Sequence, residues 1–510
     1  MKIKQHYDVV VAGSGLGGLV SAIILAKEGY KVCVLEKNNQ YGGNLQTFVR
    51  EKTIFDTGVH YIGGLSKGQN LYEYFKYIGI IDDLELKKLD EDGFDIISFD
   101  NDNKSYKHAQ GYDNFKKQLL NDFPEEKEAI SLYCKALQDT CNKFPLYSLQ
   151  SGVPIYEDTK LFETSASEFI NSLTANKKLQ AVLAGTNYLY AGEAYATPFY
   201  VHALSVNSYI ESAYRCIKGG SQITKALIKQ LKLHNGEAYK KSEVVKFNVV
   251  DKKVTSLELS NGTEIFADLF ISNIDPKVTL EKVGKDAFRK SYVNRISNIK
   301  STTSAFSLHI VLKPNSIKYH NKNYYHFKDY NDIWITNNYT DESWPEGYMV
   351  SMGLKEADCE FADNITVMTY MRYDEVKPWE HTFNTVVHKN DRGETYEEFK
   401  TRKTEQLITE LEKKYPNIRA SIQSTYTSTP LSFRDYIGCN KGSMYGYVKD
   451  VDKPMQSHLS ARTKLSNLYL TGQCLSMHGI LGVTISAIIT CSEIVGKEYL
   501  INKILNKINN

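Results

Sequence analysis

Six consecutive residues, Gly13-Ser14-Gly15-Leu16-Gly17-Gly18, have the types and spacing of a turn that grips a dinucleotide. Each glycine meets a separate need. Gly13 permits the tight bend, Gly15 lets backbone approach a pyrophosphate, and Gly18 lets the following helix pack on the preceding strand. The free N–H groups at the helix start, with Leu16 and Gly17 among them, carry partial positive charge and face the phosphates in such a site. Glu36 follows about 20 residues on, where a carboxylate takes hydrogen bonds from an adenosine ribose, and Lys37 stands beside it. An acid at that position disfavours a 2′-phosphate.

The elements that must present this turn are legible around it. Residues 7–11 form a short β-branched run, and residues 16–28 carry Leu16, Leu19, Val20, Ile23 and Ile24 at helical spacing up to Gly29. Residues 31–35 read as a second buried strand that delivers Glu36. Strand, turn, helix and strand make a βαβ unit, which requires a parallel sheet. Farther along, Lys218-Gly219-Gly220-Ser221 leads into a helical stretch over 222–233 and three strand-like runs, 243–250, 253–260 and 264–272. Asn261-Gly262 joins the last two and predicts a type I′ hairpin, in which both central residues take positive φ. This region therefore reads as an antiparallel meander. Residues 465–495 give a further strand, a glycine turn and a helix.

Composition narrows the function classes. With 42% hydrophobic and 24% charged residues the chain is neither disordered nor fibrous. Its 510 residues suggest two or three packed units, with room for a cleft between them. Basic and acidic residues balance at 62 against 60, so nucleic acid is not an expected partner. The cysteines form no C-x-x-C pair, which argues against a metal site or a disulfide framework and suits a reducing cytoplasm. The apolar stretches 20–26 and 480–489 fall short of the roughly 20 residues that span a bilayer.

A second glycine turn, Gly42-Gly43, is followed by Phe55-Asp56-Thr57-Gly58-Val59-His60-Tyr61, and a later segment reads Leu468-Tyr469-Leu470-Thr471-Gly472-Gln473. In these words the chain resembles the phytoene desaturase, carotenoid isomerase and retinol saturase family of flavoproteins, within the wider amine oxidase superfamily. The resemblance implies FAD as cofactor. It places Gly42, Gly43 and Gly58 against the flavin and its diphosphate, and the backbone near Val244 against the adenine. Residues 472–483, including Gly472, Gln473, Gly482 and Val483, would close over the ribityl chain and pyrimidine ring. Related proteins often carry an acid after the glycine of this segment; here Gln473 would donate and accept in its stead. The helix starting near Gly479 would aim its amino end at flavin N1 and the C2 carbonyl, stabilising an anionic reduced ring. The same motifs put His60 and His478 near the ring. Either would serve as proton donor or acceptor while hydrogen is added to or removed from a C=C bond, with a satisfied structural histidine as the alternative. Asp56 is expected to brace its own turn.

The activity implied is saturation, desaturation or isomerisation of C=C bonds in a hydrophobic, carotenoid- or retinoid-like polyene, by hydride exchange with flavin N5. Two alternatives share the fold: amine oxidation at the same flavin site, and non-catalytic carriage of a prenyl lipid, as in Rab escort and GDP-dissociation-inhibitor proteins. No second glycine fingerprint with a following acid or arginine is visible, so the electron donor or acceptor is expected to be a separate, unidentified partner. The fold class expected is α/β: a Rossmann-like FAD-binding domain, combining a βαβ parallel sheet with an antiparallel β-meander, and an α+β substrate domain. The first comprises residues 1–80, 211–300 and 441–510; the second comprises 81–210 and 301–440. Within 188–214, Tyr188, Tyr190, Tyr195, Phe199, Tyr200, Tyr209 and Tyr214 suit either a pocket wall or ordinary core. The tail carries Leu500, Ile501, Ile504, Leu505 and Ile508 on one helical face. That face would rest on a membrane surface, or pack against the flavin domain.

Overall fold

A computed structural model describes residues 3–150, 160–334 and 336–509. β1 (His6–Ala12) and β2 (Val32–Leu35) pair in parallel, with Val10 opposite Cys33 and Ala12 opposite Leu35. Between them, α1 (Leu16–Lys27) is apolar on every face, and all of its residues except Lys27 are buried. A helix of that kind must be enclosed. The sheet lies beneath it, and the helices Ser221–Leu233 and Gly479–Val495 pack against it.

Among the described residues, two seven-stranded sheets carry the architecture. The first runs in the order Glu237–Tyr239, β2, β1, Glu264–Ser272, Lys253–Leu259 and Val244–Val250, with Leu468–Leu470 also paired to Glu264–Ser272. The strand Glu264–Ser272 is where the parallel core meets the meander. It runs parallel to β1 and to Leu468–Leu470, and antiparallel to Lys253–Leu259. The register sets Ala12 beside both Leu35 and Ser272, and Ser272 beside Leu470. Gly13, Glu36, Asn273 and Thr471 therefore leave the sheet together at one carboxyl edge. Ligands of open parallel sheets bind at such an edge.

The hairpin at Asn261-Gly262 forms, but not with the type I′ turn that dipeptide predicts. Of the loop residues only Gly262 has positive φ, +79°. Its N–H bonds to Leu259 O at 2.9 Å, the Leu259 N–H bonds to Thr263 O at 2.9 Å, and Asn261 Oδ1 accepts from the Thr263 N–H at 3.0 Å. A type I bend followed by one left-handed glycine closes the hairpin as a bulge, one residue longer than a two-residue turn.

The second sheet runs in the order Ile422–Ser428, Ser304–Leu312, Asn364–Met371, Gly347–Met352, Asn323–Phe327, Asp95–Phe99 and Asp102–His108. Its neighbours are antiparallel except Asn323–Phe327 with Asp95–Phe99. Side chains alternate as a pleated strand demands. Phe306, Leu308, Val350 and Val367 pack with Leu407 and Leu411 of the helix Glu394–Lys414, while Met349, Met368 and Tyr370 face the main core. A short sheet of Ile62–Gly63, Ala213–Cys216 and Leu86–Lys88 stitches the two halves together.

The tail helix, Lys497–Asn509, turns its apolar face inward. Leu500 and Ile504 join the main core beside Gly479–Val495 and Asn70–Ile78, and Lys503 pairs with Glu28 at 2.8 Å. Leu505 is buried as well and Ile501 is half-buried, while the side chain of Ile508 lies outside the described residues. Packing, rather than a face left for a membrane, is what these residues do. Among the described residues no helix is long and apolar enough to cross a membrane. All eight cysteines carry free thiols.

Candidate active site

A cavity of about 650 Å³ extends from the carboxyl edge of the first sheet to the inner face of the second. Gly13, Gly15, Leu16 and Gly17 bring the start of α1 to its wall. That helix has no side-chain cap and no acid in its first turn, so its leading N–H groups are left for an anion. Gly18 does not line the cavity. A Cβ there would overlap Gly13 O, so this glycine seats the helix on the turn.

Glu36 borders the cavity at the end of β2. Its Oε2 accepts from the Ser14 N–H at 3.1 Å and from Ser14 Oγ at 2.5 Å, and its Oε1 accepts from the Asn38 N–H at 2.8 Å. The carboxylate thus holds the glycine turn as well as offering lone pairs outward. Lys37 Nζ donates to Asp435 O at 2.7 Å and lies 5.7 Å from the Phe383 ring; burial holds its pKa below the ordinary lysine value. Val244 lies in the same stretch of wall.

Gly42 and Gly43 line the cavity with φ of +117° and +56°. A Cβ on Gly42 would overlap Thr224 Oγ1, and one on Gly43 would come within 3.2 Å of Gly15 Cα. Gly58 also lines it, with Asn44 O 3.1 Å from where its Cβ would be. Gly472, at φ +106°, and Gln473 close the wall at the end of Leu468–Leu470. Gln473 Nε2 reaches Cys439 Sγ at 3.6 Å, and the Thr471 hydroxyl is buried with no protein partner. Gly479, Ile480 and Val483 bring a second uncapped helix start to the cavity. Gly482 does not line it; a Cβ there would press on Met477 Cβ at 2.7 Å. Two uncapped helix starts, left-handed glycines, an orphaned hydroxyl and a ribose-type acid along one sheet edge fit an elongated anionic dinucleotide.

The other end of the cavity is built from Tyr61, Tyr188, Tyr209, Tyr325, Tyr445 and the methionines 349 and 368. None of these side chains carries a formal charge at neutral pH. The aromatic stretch 188–214 is divided by the fold: Tyr188 and Tyr209 line the cavity, Tyr190, Phe199 and Tyr200 are core, and Tyr195 is 64% exposed. Tyr214 instead shares a hydrogen bond with Ser66 Oγ at 3.0 Å.

His60 lines the cavity, with Nδ1 3.4 Å from Ser351 Oγ. Burial, with the nearby Arg215 charge, lowers its pKa to about 4, so the imidazole is neutral near pH 7. His478 is not among the lining residues. Its Nε2–H goes to Leu189 O at 3.0 Å, its ring sits 4.6 Å from that of Tyr445, and burial lowers its pKa to about 4. Asp56 braces a different turn from its own: Oδ1 accepts from the Gly220 N–H at 2.6 Å, and burial raises its pKa to about 6.

Sequence reasoning missed Asn273, whose side chain is wedged among the glycines. Its Nδ2 stands 2.7 Å from where a Gly15 Cβ would be, and its Oδ1 2.8 Å from where a Gly472 Cβ would be. It also missed Tyr325 and Tyr445, which carry no local motif. Ile271-Ser272-Asn273 ends a strand in a polar residue at the cofactor edge, and that was the available signal for Asn273.

Residues 16–362 match the model of the family described as flavin containing amine oxidoreductase. The chain is 26% identical to the all-trans-retinol 13,14-reductase of Rattus norvegicus, over 98% of this chain and 87% of that protein. It is also 26% identical to prolycopene isomerase 1, chloroplastic, of an Oncidium hybrid cultivar, over 98% of this chain and 85% of that protein. A redesigned putrescine oxidase shares the fold, with a TM-score of 0.61 at 12% identity, over 96% of this chain and 99% of that one. With well over half of its length inside the family model and the cradle for a dinucleotide in place, the chain belongs to the flavin containing amine oxidoreductases and is a flavin-dependent oxidoreductase.

Proposed function

We propose that this enzyme uses FAD to saturate, desaturate or isomerise C=C bonds of a hydrophobic polyene of carotenoid or retinoid type. One observation carries the reading: a single cavity joins a glycine-built dinucleotide cradle to a wall of tyrosines and methionines. The activities for which the retinol reductase and the prolycopene isomerase are named support the same substrate class. The acid Glu36 and the wall near Val244 support FAD over a flavin without adenosine.

Bound flavin supplies hydride exchange with carbon at its N5. The residues do the rest. The start of α1, with Gly13, Gly15, Leu16 and Gly17, holds the diphosphate, and Gly18 seats that helix on the turn; Glu36 and Lys37 flank the ribose; Gly42, Gly43 and Gly58 let backbone meet the ring system. Gly472, Gln473 and the helix start with Gly479 and Val483 close over the ribityl and pyrimidine side, where partial positive charge favours an anionic ring, while Gly482 packs against Met477. His60, neutral at physiological pH, borders the reacting end as a hydrogen-bonding wall, and His478 orients Tyr445. Residues 1–80, 211–300 and 441–510 act as the flavin unit and 81–210 with 301–440 as the substrate unit, served by a separate electron carrier.

A cationic amine is disfavoured by these tyrosines and methionines, none of which carries a negative charge to pair with it. The test is a purified sample. It should be yellow and release FAD, and its chemically reduced form should convert all-trans-retinol or a cis-carotene to a product altered at a C=C bond. A colourless protein, or a flavin that putrescine reduces while polyenes are left untouched, defeats the reading.

A further inference from the structure

Behind the tyrosine end of the cavity stands a buried acid. Asp95 begins the strand Asp95–Phe99 and has no accessible surface. Its two oxygens have different neighbours. Oδ1 accepts from Asn323 Nδ2 at 2.9 Å, and Oδ2 accepts from the Tyr61 hydroxyl at 2.8 Å. The Tyr61 hydroxyl is in turn 2.6 Å from that of Tyr325. Tyr61 and Tyr325 both line the cavity, whereas Asp95 does not.

Arg215 fixes the polarity of this array. Its guanidinium donates to Asn323 Oδ1, and also to the Tyr319 hydroxyl at 2.9 Å. With its oxygen so engaged, Asn323 must turn its NH₂ toward Asp95. A proton on Asp95 therefore belongs on Oδ2, aimed at Tyr61. The hydroxyl chain then has two directions. With Asp95 protonated, each O–H points outward and Tyr325 offers its proton to the cavity. With Asp95 ionised, each O–H points inward and Tyr325 offers a lone pair instead.

We propose that Tyr325, Tyr61 and Asp95 form a proton relay for the substrate, with Tyr325 as the acid or base at the carbon beside the one that exchanges hydride. This rests on the polyene reading above. The hydride is the chemistry already ascribed to the flavin, and the relay moves only the proton. In saturation the Tyr325 O–H bond breaks, a C–H bond forms at the neighbouring carbon, and the C=C π pair is consumed with the added hydride. Tyr325 regains a proton from Tyr61, and Tyr61 from Asp95 Oδ2, which is left as carboxylate. Desaturation runs the same transfers backward, ending with a protonated Asp95.

The surroundings allow Asp95 to change state near neutrality. Burial raises its pKa to about 7, against the opposing pull of Asn323, Tyr61 and the Arg215 charge. The groups facing it are Tyr61, Tyr209 from the helix Phe199–Glu211, Asn323 and Tyr325 from Asn323–Phe327, Arg215 from Ala213–Cys216, and His108, its partner across the adjacent strand. Burial lifts the phenols Tyr61, Tyr209 and Tyr325 above their usual range and lowers His108 to about 4. In this cluster Asp95 is the group left to titrate around neutral pH.

Two measurements test the relay on the FAD-loaded protein. Infrared spectroscopy should show a buried carboxylic-acid C=O band that fades as pH rises through about 7, is missing in Asp95→Asn and is shifted in Tyr61→Phe. In single-turnover oxidation of the reduced protein by all-trans-retinol, Tyr325→Phe should slow the reaction by about 10²–10⁴-fold with retinol affinity retained. Tyr61→Phe, which removes one oxygen only, should flatten the pH dependence of that rate, and it stands in where Asp95→Asn fails to fold. A wild-type protein without the titrating band, or Tyr325→Phe turning over at the wild-type rate, overturns the proposal. A wild-type protein that shows the band yet leaves every polyene unchanged overturns the substrate reading instead.

Discussion

The glycine end and the tyrosine end of one cavity are built on opposite principles. At the glycine end backbone makes the surface: Gly13, Gly15, Gly42, Gly43 and Gly472 remove side chains so that helix starts and turns come close to a ligand. At the tyrosine end side chains make it: the Tyr61 hydroxyl bonds Asp95 and meets that of Tyr325, and Tyr445 donates to Tyr188 O at 2.7 Å. Backbone recognition serves a ligand of fixed shape and charge, such as a diphosphate. An aromatic and thioether wall serves an apolar ligand whose position is set by shape.

The comparison breaks most readily at Glu36. Glu36→Ala leaves Ser14 and Asn38 N–H groups without their acceptor, and should cost about 3 kcal/mol or more, since hydrogen bonds to charged groups are worth about 1.5–3 kcal/mol each. Denaturant midpoints measured on the apoprotein and on the flavin-loaded protein should both fall. Tyr188→Phe at the other end removes one buried hydroxyl bonded to Thr369 and should lower both by less, about 1 kcal/mol. Next in size is Gly42→Ala, which puts a Cβ on a residue at φ +117° and against Thr224. Strain of about 1–3 kcal/mol should weaken flavin binding by about tenfold to a hundredfold in a fluorescence titration.

A pH series sharpens the contrast further. His60, His108, His202, His309 and His478 are all lowered to about 3 or 4 by burial. Each is neutral in the folded protein but binds a proton in the unfolded chain below about pH 6.5. Their contribution to stability is therefore complete above about pH 6.5 and is lost as pH falls toward 4. Asp95 acts in the other direction, because its raised pKa favours folding at low pH and that contribution fades as pH climbs toward 7. Replacing His60 by Gln should reduce the acid-side slope of unfolding free energy by about 1.4 kcal/mol per pH unit, read from denaturant melts between about pH 6 and 4.5. The smallest effect belongs far from both ends. Lys503→Ala removes an exposed pair with Glu28 and should cost under about 1 kcal/mol, whereas loss of buried Leu500 beside it should cost about 2–5 kcal/mol.

The two ends also differ in how far the sequence exposes them. The turn at 13–18 and its flanking β1, α1 and β2 were legible because one short segment contains the whole device. Tyr61, Tyr188, Tyr209, Tyr325 and Tyr445 are separated by most of the chain, and only the folding of the second sheet onto the first brings them together. Asp95 sits in the run Asp90-Glu91-Asp92-Gly93-Phe94-Asp95, which reads as a charged surface loop. Strand pairing with Asn323 makes it a core residue instead. Local patterns misled in small ways for a related reason. Asn261-Gly262 suggests one turn type, but loop length selected another; Asp56 looked self-contained, yet the helix Ser221–Leu233 brought the Gly220 N–H to it. The tail stripe was visible, but what covers it is a tertiary fact.

The most direct test of the two-ended cavity is a crystal structure of the FAD-loaded protein soaked with a polyene such as all-trans-retinol. The account expects the diphosphate at the start of α1, the adenosine beside Glu36, and the polyene between Tyr188 and Tyr325 with its chain against the flavin. Flavin seated away from the glycines, or a polyene found only outside the tyrosine-lined chamber, contradicts it.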